Sequence, residues 1–267
     1  MKVYTRTLAI LAIAAALPAG AQERQTDRNA FRWTGRVPEG AWVRVQNVSG
    51  AVRVERATGD QVEITATKSW RRGDPQDVRI EARKFGPNNE SVIVCAFWQE
   101  NATCSEGGYQ SHGERRGGRS NDVSVEFTVR LPAGVRVNVG TVNGEVMVDG
   151  ATSEVRAGTV NGGVEAYSSG GPVTASTVNG NVRVRMGRLT GTEDLRYATV
   201  NGSVIVEFSG DVDADIELTT VNGRLQSDFP LALQGRIDPR HLRATIGKGG
   251  RRIRLTTVNG NVELRKR

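Results

Sequence analysis

Thiol and imidazole chemistry is scarce in this chain: its only cysteines are Cys95 and Cys104, and its only histidines are His112 and His241. Two cysteines this close in sequence are suited to one disulfide closing a short loop, provided the chain reaches an oxidising compartment. The histidines are far apart, and no cluster of Cys or His has metal-ligand spacing. The densest acidic stretch is Asp211-Val212-Asp213-Ala214-Asp215-Ile216-Glu217, whose carboxylates fall on one face of a strand. A calcium loop would need Gly at its sixth position and Glu at its twelfth, where Ile216 and Asn222 stand. Neither a phosphate-binding G-x-x-x-x-G-K-[ST] nor a G-x-S-x-G nucleophile elbow with a plausible His partner occurs, and Gly247-Lys248-Gly249-Gly250 reads as a turn between strands. No catalytic, cofactor-binding or metal-ligating residue is therefore assigned, and the expectation is a protein that does not catalyse and carries no cofactor.

Charge and targeting narrow the partners. Met1, Lys2 and Arg6 precede an apolar run from Leu8 to Leu17 and a small-residue exit at Ala19-Gly20-Ala21, the order of a secretory signal peptide cleaved after Ala21. The run is shorter than the roughly 20 apolar residues a membrane helix needs, and none of that length follows. Loss of Lys2 and Arg6 lowers the formal charge from +7 to about +5. That is mildly basic, below the charge density of a nucleic-acid binder, and export argues against nucleic acid as a partner. Arg71-Arg72, Arg115-Arg116, Arg251-Arg252 and Arg265-Lys266-Arg267 read as solvated turns and a charged tail. Their sharper reading is contact with anionic envelope polymers.

One motif dominates what remains. Thr-Val-Asn-Gly recurs at 141–144, 159–162, 177–180, 199–202, 220–223 and 257–260, and a degenerate copy, Asn47-Val48-Ser49-Gly50, lies earlier. Most steps are near 20 residues. The last is about twice that and contains extra loop around Phe229-Pro230 and Asp238-Pro239. Period-two alternation flanks each copy, as in Val135/Val137/Val139/Thr141 before the first and Val146/Val148 after it, which is strand periodicity. Asn-Gly supplies the backbone freedom of a turn. Stacked corners of a β-solenoid (a β-helix-like stack of short strands) would use the whole tetrapeptide at every level. The alternative is an antiparallel β-meander of Asn-Gly hairpins, which needs only the last two residues. Conservation of all four within one chain favours the solenoid. Asn143, Gly144, Asn161, Gly162, Asn179, Gly180, Asn201, Gly202, Asn222, Gly223, Asn259 and Gly260 are then the expected turn ladder. Replacing one internal Asn-Gly pair by Val-Val is expected to cause misfolding.

The expected organisation is signal peptide 1–21, linker 22–35 and a single β-repeat domain 36–267. Within it, 36–131 holds divergent strands and the disulfide loop, and 132–267 holds the repeats. The polar, Gly-rich stretch 105–120 reads as a mobile loop. Trp33, Trp42, Trp70 and Trp98 all fall in the first third, where they are expected to cap the open solenoid end; exposed, they could instead stack on sugar rings.

The runs Leu-Pro-Ala-Gly-Val-Arg-Val-Asn-Val-Gly-Thr-Val-Asn-Gly at 131–144 and Gly-Lys-Gly-Gly-Arg-Arg-Ile-Arg-Leu-Thr-Thr-Val-Asn-Gly at 247–260 resemble the bacterial β-strand-repeat domain of unknown function labelled "putative adhesin". The resemblance covers roughly residues 40 to 267. It implies a β-helix-like fold and an envelope location, periplasmic or at the cell surface, and it carries over no catalytic residues. The expected function is a non-catalytic, adhesin-like module binding envelope polysaccharide or another envelope protein. The alternatives are a structural or envelope-stress sensory scaffold and, behind it, a polysaccharide-active β-helix enzyme.

Overall fold

The computed structural model describes residues 24–27, 29–99, 101–111, 121–187, 189, 191–235 and 238–267. The expected signal peptide and His112 lie outside these, as do residues 112–120 of the Gly-rich stretch. In chain order the strands of the first part are β1 (Arg24–Asp27), β2 (Ala30–Gly35), β3 (Trp42–Gln46), β4 (Val52–Arg56), β5 (Val62–Ser69), β6 (Arg79–Phe85), β7 (Ser91–Phe97), β8 (Ala102–Ser105), β9 (Gly108–Ser111) and β10 (Ser124–Leu131). The repeats give β11 (Arg136–Gly140), β12 (Val146–Ala151), β13 (Val155–Gly158), β14 (Val164–Ser168), β15 (Val173–Ser176), β16 (Val182–Met186), β17 (Leu195–Ala198) and β18 (Val204–Phe208). The last part is β19 (Ala214–Thr219), β20 (Leu225–Ser227), β21 (Ala232–Leu233), β22 (His241–Ile246), β23 (Arg251–Thr256) and β24 (Val262–Lys266).

These strands form two long sheets pressed face to face. Sheet I runs β1-β2-β5-β10-β4-β12-β14-β16-β18-β24-β20, and sheet II runs β21-β22-β19-β23-β17-β15-β13-β11-β3-β7-β6. Each repeat contributes one strand to sheet II, a Thr-Val-Asn-Gly corner, and one strand to sheet I. Neighbouring repeats pair parallel and in register, so Val146, Val164, Val182 and Val204 form one column and Val137, Val155 and Val173 another. Alternation turns those valines inward, where they are fully buried. Such burial contributes roughly 1.5–3 kcal/mol per side chain. The parallel register makes the fold a flattened β-solenoid, not a meander of hairpins.

The corner explains its own sequence. Each threonine points inward and its hydroxyl donates to the glycine carbonyl one rung away, as Thr159 does to Gly144 (2.9 Å) and Thr177 to Gly162 (2.8 Å). The carboxamides of Asn161, Asn179, Asn201, Asn259 and Asn222 each donate to the preceding asparagine along the ridge at 2.8 Å, a chain that ends on Asn143. Each glycine passes so close to its neighbour that a Cβ on Gly180 would overlap the Gly162 carbonyl. In the degenerate copy Asn47 takes the threonine's inward place and donates to the carbonyls of Gly50 and Val125.

Among the Thr-Val-Asn-Gly corners, spatial order departs from sequence order at one point. The corner asparagines bridge in the series 143, 161, 179, 201, 259, 222, so the last copy in the chain sits second from the end in space. Strand β23 lies between β17 and β19, and β24 lies between β18 and β20. The long final step is thus a detour. After β20 the chain forms β21 and then β22, which are antiparallel to each other; β22 pairs antiparallel with β19, and the chain then crosses to the other side of β19 as β23.

The first third differs from expectation in three respects. The expected linker 22–35 contains β1 and β2, which extend sheet I through antiparallel pairing with β5; Phe31 and Trp33 alternate with polar neighbours and are buried. Part of the expected loop is β9, paired with β8. The hairpin β8–β9 lies on the outer side of β7, which is therefore buried along its whole length. The tryptophans also divide. Trp33 is buried at the cap, and Trp98 packs against the core and donates from its indole to the Val123 carbonyl at 3.0 Å. Trp70 is exposed, and Trp42 lies on the outer face of sheet II.

Candidate functional site

The residues singled out for chemistry occupy different places. Cys95 on β7 and Cys104 on β8 are bonded to one another, their Cα atoms 6.4 Å apart, and tie the hairpin β8–β9 to sheet II. Phe97 and Tyr109 stack nearby with ring centres 5.8 Å apart. The six Asn-Gly pairs come together as one ridge along the junction of the two sheets.

The acidic run on and before β19 is consumed by internal bonds. The Asp213 carboxylate accepts from the Lys248 amide at 2.8 Å, and Asp215 accepts from Thr245 at 2.8 Å and the Gly250 amide at 3.2 Å. Asp211 pairs with Lys266 at 2.7 Å. Glu217 receives Arg254 at 2.7 Å and Arg243 at 3.3 Å, with His241 Nε2 at 3.8 Å. Burial opposes ionisation of Glu217, but the arginine hydrogen bonds outweigh it and hold the carboxyl below its ordinary range. These groups fasten the turn 247–250 and the strands straddling β19.

The built surface is the outer face of sheet II. Parallel register stacks Gln46, Gly140, Gly158 and Ser176 on neighbouring strands, continued by Ala198 and Thr256. Each directly precedes a corner, and all but the first have small side chains, so the row forms the floor of a furrow. One wall is the second residue of each corner: Val142, Val160, Val178, Val200, Val258 and Val221, exposed by 37–47%. The opposite wall carries Asn138, Arg156, Thr174 and Arg196, and the central concavity between them measures about 650 Å³. Strands spaced about 4.8 Å apart make the floor from Gln46 to Thr256 about 24 Å long. Arg156 is half exposed and pairs with Glu154 at 2.8 Å. Arg196 is exposed and has no ion pair among the described residues.

At its β3 end the furrow meets an aromatic and cationic cluster. The guanidinium carbons of Arg136 and Arg156 each lie 4.7 Å from the Trp42 ring centre, and that of Arg44 lies 5.8 Å away. Arg44 also lies over Phe85 at 4.7 Å. Glu154 reaches Arg136 at 3.8 Å. Glu106, at the tip between β8 and β9, has its carboxylate 3.7 Å from Arg44 and accepts from Arg44 through its main-chain carbonyl. Burial lowers the Arg44 pKa; Glu106 opposes this shift and Arg156 adds to it. On the outer face of sheet I, Arg185 and Arg265 close on Glu207, and Arg32 and Arg130 on Glu63.

The furrow was missed from sequence, yet two signals mark it. The residue before the threonine is Gly, Gly, Ser, Ala, Thr and Thr in the six copies, small in each. Carrying the inward parity of threonine one step further also puts every corner valine outside.

The family model Toastrack DUF4097 matches residues 39–265. A solved structure named a "putative cell adhesion protein", from Clostridium sporogenes ATCC 15579, is 9% identical with a TM-score of 0.45, covering 89% of this chain and 100% of that one. A "putative adhesin" from Bacteroides fragilis NCTC 9343 is 10% identical with a TM-score of 0.23, covering 90% and 98%. No curated protein matches. No helix among the described residues is long and apolar enough to cross a membrane.

Proposed function

The chain belongs to the Toastrack DUF4097 family, a domain of unknown function, and from its own surface we propose that it is a non-catalytic binding module of the bacterial envelope, gripping an extended polysaccharide along the outer furrow of sheet II. The carrying observation is the furrow itself, a floor of small side chains between a valine rail and an arginine-bearing wall. A straight channel repeating at strand spacing suits a repeating polymer better than a compact small molecule, for which an enclosed pocket would be expected. Arginines hydrogen-bond polar polymer groups in fixed directions, while the valines cover the apolar faces of sugar rings.

The test is a pull-down of residues 22–267 against fractionated cell envelope across a salt series, repeated with an Arg156→Gln/Arg196→Gln variant. Saturable binding to a polysaccharide fraction that survives moderate salt and weakens about tenfold in the variant is expected. Binding that vanishes with salt and is equal in both proteins would reflect net charge alone and overturn the reading. Recovery of one protein partner in place of polymer would move the assignment to a scaffold.

A further inference from the structure

Three guanidinium groups crowd one indole at the end of the furrow, with two carboxylates for company. Arg136 and Arg156 share Glu154, and Arg44 has Glu106. An aromatic ring orders a guanidinium without neutralising it, so its N–H groups stay available to an anion. The Arg44 side chain is only 13% exposed. The buried Nε atoms of Arg44 and Arg136 have no acceptor among the described residues. Gathering like charges and removing them from water opposes folding, and an anionic ligand would offset that cost.

Glu106 enters the cluster from a separate element. It is exposed, it sits at the tip of the hairpin tied down by Cys95–Cys104, and it meets Arg44 through both its carboxylate and its carbonyl. Its carboxylate occupies the place an acidic ligand group would take. We propose that the Trp42–Arg44–Arg136 cluster is a subsite for an acidic group, a carboxylate or sulfate ester, on the polymer in the furrow, and that Glu106 holds this subsite until the polymer displaces it. This rests on the furrow being the polymer-binding surface.

The experiment titrates residues 22–267 with polygalacturonate, dextran sulfate and neutral dextran at physiological ionic strength, with melts verifying that each variant folds. Binding to an acidic polymer and not to dextran is expected; binding to one of the two acidic polymers alone identifies the group. Arg136→Gln should weaken binding about tenfold, and Glu106→Gln should tighten it about threefold. Arg185→Gln, on the outer face of sheet I, should change nothing. Equal binding of dextran, or unchanged affinity in both Arg136→Gln and Glu106→Gln, overturns the subsite; a loss confined to Arg196→Gln in that case leaves the furrow reading standing. Binding to none of the three polymers overturns both.

Discussion

In each corner the threonine hydroxyl and the glycine backbone converge on the same carbonyl of the neighbouring rung. At the third copy that acceptor is Gly162, which receives Thr177 and against which Gly180 lies too close for any side chain. The asparagine is less constrained, because its carboxamide runs along the exposed ridge and water can replace a lost partner. Asn179→Ala should therefore cost about 1–2 kcal/mol, two hydrogen bonds with solvent access, one given to Asn161 and one received from Asn201. Gly180→Ala forces a Cβ into a backbone oxygen that stacking holds in place, and is expected to abolish cooperative folding. Urea melts followed by circular dichroism would separate the two; equal, small losses would mean that adjacent rungs spread apart at low cost. The Val-Val replacement expected to misfold is on this account damaging mainly through its glycine.

Two elements are held by identifiable fastenings. Strand β19 is gripped on one side by β22 and on the other by β23, with Glu217 bonded to Arg243 and Arg254 across both junctions. Its folded pKa lies below the unfolded value, so its stabilisation is full above the ordinary carboxyl range and is lost as pH falls through the folded value. The thermal midpoint should fall below about pH 4, and Glu217→Gln should flatten that fall while lowering stability at neutral pH. Parallel pH profiles for the two proteins would remove Glu217 from the account. The other fastening is Cys95–Cys104, which keeps the hairpin β8–β9 over Ile93 and Phe97. A loop this short contributes about 2–3 kcal/mol. A Cys95→Ser/Cys104→Ser variant should keep the repeats folded but expose the hairpin to early proteolysis.

At the scale of the molecule, the interleaved last rung changes what truncation does. In a solenoid stacked in chain order, removing the final coil shortens the rod and leaves the rest intact. Here, removing residues 251–267 withdraws β23 and β24 from between β17–β18 and β19–β20. The remaining strands would face each other at about twice the 4.8 Å pairing distance, beyond hydrogen-bond reach. A chain ending at 250 is expected to lose cooperative unfolding, and a peptide of residues 247–267 added in trans should restore it. A truncated chain that melts as sharply as the full one would mean that the identical corners let β19–β20 close directly onto β17–β18.

The sequence alone determined the rung. Alternating valines with inward threonines, and one tetrapeptide repeated without change, specified short strands, stacked corners and an all-β solenoid, because identical residues stack only when every level presents the same geometry. Small residues before the threonines and the outward parity of the valines already held the furrow's floor and one wall. Tertiary structure decided what depends on contacts between distant segments. It placed the sixth corner between the fourth and fifth, a choice the local pattern cannot make because one Thr-Val-Asn-Gly pairs as well with any other. It turned the linker residues Phe31 and Trp33 into a capping strand, since only the finished sheet offers them an edge. It also gathered Trp42, Arg44, Arg136 and Arg156 around one ring and set Glu106 against Arg44. Residues dozens of positions apart become neighbours only through the register between rungs, a long-range property of the folded sheet.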